Sequence, residues 1–117
     1  MSFLERTTLL LGAEKMQRLS AAHVLIVGTG GVGAYAAEMI CRAGVGTLTL
    51  VDADCVSPSN INRQLIALHS TVGRHKTEVM AERLRDINPD IVVNTHPIFF
   101  LPDIELDLSV YDYIIDA

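Results

Sequence analysis

The sequence predicts an α/β fold, a parallel sheet with helices on both faces, and three observations carry that reading. Two short apolar runs, HVLIV (His23–Val27) and TLTLV (Thr47–Val51), are continuous rather than alternating, as expected of strands covered on both sides. Helical patterns alternate with such runs, which implies parallel strands joined by right-handed crossovers. Finally, Gly-x-Gly-Gly-x-Gly lies directly between the first strand and its helix. That is the arrangement of a mononucleotide-binding βαβ unit, so the expected fold is Rossmann-like.

Residues 3–20 read as a helical lead-in, with Leu10, Met16 and Leu19 available for packing. After the first strand, residues 32–43 form a helix in which small Ala34 and Ala37 permit close approach, and Gly44 supplies the C-cap. The second strand ends at Asp52. Residues 52–60 are a loop containing Pro58, and residues 60–68 are expected to form a short helix. A longer helix spans Lys76–Ile87, whose Val79, Met80, Leu84 and Ile87 keep one face apolar; Asn88-Pro89 stops it. Residues 91–95 are the third strand, residues 103–109 a short helix, and YDYIIDA begins a fourth strand. The sheet is therefore expected to be cut after its fourth strand, the chain being the N-terminal part of a longer protein.

Composition excludes several classes. The chain has 117 residues, 50% apolar and 20% charged, with a formal net charge of −5. This suits one globular domain and argues against a dominant non-specific grip on nucleic acid. The charge is uneven, with Arg63, Arg74, Lys76, Arg83 and Arg85 concentrated in the middle and only acids after residue 103. No apolar run reaches the roughly 18 residues of a membrane span, and MSFLERTTLLLG does not read as a signal peptide. A reduced cytoplasm is the expected compartment. Cys41 falls in an apolar helical pattern and reads as core. Cys55 lies beside Asp52 and Asp54, whose negative charge disfavours a thiolate, so a catalytic role is not expected. His69 and His75 have no partner at metal-ligand spacing and read as solvated.

The glycine loop prepares a phosphate site. Gly28 permits the tight turn, Gly30 and the additional Gly31 let the backbone approach a phosphate, and Gly33 lets the helix pack on its strand. The helix start adds free N–H groups and about half a positive charge. Asp52, 19 residues beyond Gly33, is placed to bond ribose hydroxyls. Those features fit NAD as well as ATP. Asn60, Arg63, Gln64 and Lys76 follow, and they are anion-binding types: Arg63 can fork two oxygens and Lys76 supplies a compact charge. Arg74, His75 and Lys76 also open a helix, where cations are disfavoured by about 0.3–1 kcal/mol unless an anion binds there. A pyrophosphate needs only the glycine loop, whereas a triphosphate needs further cations, so ATP is the better fit.

The combination of Gly-x-Gly-Gly-x-Gly, Asp-x-Asp, Ser-Asn-x-x-Arg-Gln and the later Lys resembles the nucleotide-binding half of the ThiF/MoeB/HesA superfamily, which includes the ubiquitin-activating enzymes. The likeness covers nearly the whole chain. FLERTTLLLG, NINRQLIAL, VGRHKTEVMAERLRDINP and YDYIIDA look most like the tRNA threonylcarbamoyladenosine dehydratase branch. The resemblance implies a ThiF-type domain occupying residues 1–117, incomplete at its C-terminus. It implies Mg2+-dependent adenylation of a substrate carboxylate by ATP. The carboxylate would be the threonylcarbamoyl group on adenosine 37 of tRNA, subsequently cyclised with loss of water. In the alternative it is the C-terminal glycine of a ubiquitin-like sulfur carrier. It implies that Asp52 holds the ribose, that Gly28, Gly30, Gly31 and Gly33 frame the nucleotide, and that Asn60, Arg63, Gln64 and Lys76 bind phosphates. Arg6 would reach the phosphates of the partner in a homodimer. Asp54 is a secondary candidate. Asp116 resembles the first acid of an Asp-x-x-Asp strand end whose second, magnesium-binding acid falls beyond Ala117, so no metal ligand is expected within the chain. An NAD-linked oxidoreductase and a non-catalytic partner subunit are the competing readings.

Overall fold

The computed structural model describes residues 2–101 and 106–117. Its lead-in is two helices, α1 (Glu5–Leu11) and α2 (Ala13–Ala21), rather than one. Gly12 separates them with φ 87° and ψ 156°, a conformation that ends one helix and opens the next. The break turns Leu10 into solvent, against expectation, while Met16 and Leu19 are half-buried and Leu19 packs on the core.

The remaining order is β1 (His23–Val27), α3 (Gly31–Ala43), β2 (Thr47–Val51), α4 (Lys76–Ile87), β3 (Val92–His96) and β4 (Tyr113–Asp116). The strands form one parallel sheet in the order β3-β2-β1-β4. Gly44 ends α3 in the left-handed conformation, as the sequence predicts. Register places Val24 beside Leu48 and Ile26 beside Leu50 on one face. These pack with Ala34, Ala37 and Cys41 of α3 and with Val79, Met80 and Leu84 of α4 in a single core. Both long helices therefore cover the same face among the described residues. The other face buries Leu25, Thr49 and Val51. There the His23 ring stands edge-on to Tyr111, centroids 4.5 Å apart, and its Nε2 lies 2.8 Å from Thr49 Oγ1. The expected Rossmann-like parallel sheet with packed helices is present.

The helix expected over residues 60–68 does not form. One 3-10 turn, Pro58–Asn60, is followed by a run of turns. Side chains take over the backbone groups that a helix would use. Asn60 Oδ1 accepts from Ser57 N at 3.0 Å, and Thr71 Oγ1 accepts from Leu68 N at 2.9 Å while donating to Ile66 O at 2.7 Å. Burial of Ile66 and Ala67 pins this folded-back segment to the core. The helix expected over 103–109 reduces to a 3-10 turn at Leu108–Val110; residues 103–105 lie outside the described residues.

The candidate nucleotide site

Strand order reverses between β1 and β4, and a cavity of about 460 Å³ opens at the carboxyl ends of β1, β2 and β4. Gly28, Gly30, Gly31, Asp52, Asp54 and Lys76 line it together with Ile98, Phe99 and Phe100. Five of the expected site residues thus converge, and Asp54 joins them.

The glycine turn is held by neighbours that leave no room for side chains. A Cβ on Gly33 would stand 1.7 Å from the Gly28 carbonyl oxygen, and one on Gly28, where φ is +95°, would stand 2.6 Å from that of Ala117. Gly33 is therefore the helix–turn contact rather than part of the cavity wall. The first N–H groups of α3 belong to Gly31 and Val32, both on the wall, and have no acceptor among the described residues. An anion seated there would satisfy them.

Asp52 does more than face the cavity. Its Oδ2 accepts from Thr29 N (2.8 Å) and Thr29 Oγ1 (3.2 Å), and its Oδ1 accepts from Asp54 N (2.8 Å). The carboxylate thus ties the glycine turn after β1 to the loop after β2. A carboxylate has about four acceptor sites, so three such bonds leave capacity for a hydroxyl.

Lys76 is 6% exposed although it is a lysine, and it opens α4. Among the described residues its closest carboxylate oxygen is Asp54 Oδ2 at 3.9 Å, beyond hydrogen-bond range. A buried ammonium whose nearest carboxylate is that far away, facing a cavity, is arranged to receive an anion. Arg74, by contrast, is consumed locally. It donates to Glu78 and Glu82, each at 2.6 Å, which raises the Arg74 guanidinium still further above its ordinary value and depresses the Glu82 carboxyl. Of the basic run at the start of α4, only Lys76 faces the cavity.

The remaining expected residues are not part of the cavity wall. Gln64 packs against Gly30, its Nε2 2.9 Å from where a Cβ would stand, and its Oε1 is buried without a partner among the described residues. Asn60 spends its carbonyl on Ser57. Arg63 is exposed and donates to Ser59 O and Asn62 Oδ1, both at 2.9 Å. Arg6 is on exposed α1, away from the cavity lining. Asp116 ends β4 with its side chain exposed. Among the described residues no three His, Cys, Asp or Glu side chains cluster to hold a metal.

Sequence reasoning missed two features. Ile98, Phe99 and Phe100 form an apolar wall. The signal was available, since PIFF follows the carboxyl end of the third strand and such loops line ligand crevices. Cys55 and His75, read separately as unpartnered, meet across an antiparallel bridge with Sγ 3.7 Å from Nδ1.

Comparison with known proteins agrees with this fold. The ThiF family profile matches residues 4–117. The chain is 47% identical over 113 residues to the tRNA threonylcarbamoyladenosine dehydratase of Escherichia coli K12, covering 95% of this chain and 42% of that protein. It is 43% identical over 114 residues to the Bacillus subtilis protein of the same name, covering 96% and 45%. It superposes with TM-score 0.91 and 46% identity on the crystal structure of the E. coli dehydratase in complex with ATP, covering 96% of this chain and 47% of that one. The chain spans less than half the length of these relatives. A parallel sheet with the glycine turn, Asp52 and a buried Lys76 at one crevice, matched over nearly the whole sequence, places the chain in the ThiF family.

Proposed function

We propose that this chain binds ATP and serves an enzyme that adenylates a carboxylate, the threonylcarbamoyl group of adenosine 37 in tRNA, which then cyclises with loss of water. The observation that carries it is the buried ammonium of Lys76 in the same cavity as the open N–H groups of α3 and the anchored Asp52. Relatives named for this dehydratase, one of them in complex with ATP, support the substrate.

In this reading the ribose hydroxyls take the remaining acceptor capacity of Asp52, and Phe99 and Phe100 offer apolar surface to the base. The phosphates lie on the start of α3 and against Lys76. Arg63 swings from Ser59 O onto the phosphate chain, a move that costs two exposed hydrogen bonds. The substrate carboxylate attacks the α-phosphorus; a P–O bond forms to the acyl oxygen and the bond to pyrophosphate breaks. Protein contributes positioning and charge here, with little covalent chemistry. Mg2+ accompanying ATP would neutralise charge on the phosphates.

Arg6 and the homodimer belong to the same proposal. Val32, Tyr35 and Met39 form an exposed apolar stripe on α3, and Leu9 and Leu10 of α1 are exposed as well. A second copy packing on these surfaces would bring Arg6 towards its partner's phosphates. No described helix is long and apolar enough to cross a membrane, and tRNA as substrate favours the cytoplasm.

The test is to incubate the protein with Mg-ATP and tRNA bearing threonylcarbamoyladenosine, then weigh the nucleoside. ATP-dependent loss of one water, absent in Arg63→Ala, is expected. An unchanged nucleoside alongside ATP–pyrophosphate exchange with a sulfur-carrier peptide would move the substrate to that class. Protection from unfolding by NAD but not by Mg-ATP would reject adenylation altogether.

A further inference from the structure

We propose that Cys55 and His75 form a reversible thiol-modification site for small disulfides such as oxidised glutathione, and that its occupation weakens nucleotide binding in the adjoining cavity.

The pair sits on a short antiparallel ladder. Val56 N donates to Arg74 O at 2.8 Å and Lys76 N to Asp54 O at 3.0 Å, with Cys55 and His75 facing each other between these rungs. Both side chains are exposed, so a disulfide can reach them. In its Nε2–H tautomer, His75 presents a bare Nδ1 to the thiol 3.7 Å away. His75 is the N-cap of α4 yet makes no capping bond with its side chain, so the ring is not committed to the helix. Asp54, the adjacent acid, has its Oδ2 3.9 Å from the Lys76 ammonium, which offsets its charge.

The chemistry balances without a further oxidant. The thiol proton passes to His75 Nδ1, and the Cys55 thiolate attacks one sulfur of the disulfide. A new S–S bond forms, the old one breaks, and the departing thiolate recovers the proton from His75. Added thiol reverses the exchange. Cys41 is the internal contrast: it is fully buried, burial pushes its thiol up, and it lies within the core.

Coupling to the cavity follows from the chain. Asp54 and Lys76, the residues next to the pair on each strand of the ladder, both line the cavity. A tripeptide attached at Cys55 adds bulk beside the His75 ring and so bears on the bridge and on the neighbouring Lys76–Asp54 rung. This coupling rests on the nucleotide reading above; the thiol exchange does not.

The test treats the folded chain, His75→Gln and Cys55→Ser with oxidised glutathione, following adducts by intact mass and peptide mapping. One adduct at Cys55 is expected, forming about tenfold more slowly in His75→Gln. ATP affinity, read by calorimetry, is expected to fall about fivefold in the modified protein, the effect of one net hydrogen bond, and to recover with dithiothreitol. Cys55→Ser is expected to bind ATP normally and to be indifferent to the disulfide. Equal rates in wild type and His75→Gln, or a modified protein with unchanged ATP affinity, would overturn the proposal. Failure of unmodified wild type and Cys55→Ser to bind ATP would instead count against the nucleotide reading, with the adduct rates still deciding the thiol site.

Discussion

Gly33→Ala is the most demanding test of the site's construction. The added Cβ would stand 1.7 Å from the Gly28 carbonyl oxygen, while contacts below 3.0 Å essentially do not occur. The start of α3 must therefore retreat by about 1.3 Å, and the atom it meets is backbone, which cannot rotate away. That retreat pulls Ala34 and Ala37, both fully buried, off the sheet. Overpacking of this kind costs about 1–3 kcal/mol, and with no flexible partner the upper end applies. For a chain of this size about 3 kcal/mol lowers Tm by roughly 12 °C. Gly31→Ala is the control: its Cβ would meet nothing within 4 Å, and only the φ of +38° is strained. About 1–2 kcal/mol, or roughly 4–8 °C, is expected there. Thermal melts followed by circular dichroism, with ATP titrations on the surviving fold, measure both. Should Gly33→Ala melt within about 2 °C of wild type, the close helix–turn contact would not be what the glycine is for.

Lys76→Met keeps the buried stem and removes the charge. It is expected to weaken ATP binding about 10- to 100-fold by calorimetry, the value of a charge-assisted contact, with little loss of Tm. Asp52→Asn replaces an acceptor that serves Thr29 N, Thr29 Oγ1 and Asp54 N with an amide. Tm should fall by about 1–2 kcal/mol equivalent and nucleotide affinity with it, both read by thermal shift with and without Mg-ATP. Glu82→Gln tests the pH dependence. The Glu82 carboxyl is depressed from its ordinary 4.5 by the hydrogen bond from Arg74. Its stabilisation is therefore present above about pH 4.5 and lost as pH falls through the lower folded value. Wild-type Tm should drop more steeply than that of the variant below pH 4.5, by a small amount because the pair is exposed.

Much of the sheet and its two covering helices was legible from the sequence. HVLIV and TLTLV became β1 and β2 with those bounds, and α4 begins and ends where the apolar period and Asn88-Pro89 place it. Local rules suffice there, because continuous apolar runs, a left-handed glycine and a proline stop act within a few residues. The meeting of the glycine turn and Asp52 was legible too, since strand order brings the carboxyl ends of β1 and β2 together, whereas Lys76 joins them through the ladder that seats the start of α4.

Other features depend on contacts distant in sequence. Residues 60–68 carry helix-compatible residues, but Ser57 and Thr71, outside the segment, capture its polar groups. Leu10 reads as a packing residue until the Gly12 break turns it into solvent. Arg63 has the right chemistry for phosphate yet rests on its own loop, a choice between two exposed partners that no periodicity encodes. Cys55 and His75 are 20 positions apart, and only the ladder between the β2 loop and the start of α4 makes them a pair. By itself the sequence determined the strands and the two long helices and named the candidate nucleotide residues, because propensity, capping and hydrophobic period are short-range. Tertiary structure alone decided that Lys76 shares the cavity while Asn60 and Arg63 spend their hydrogen bonds elsewhere, because a polar group takes whichever partner folding brings within about 3 Å.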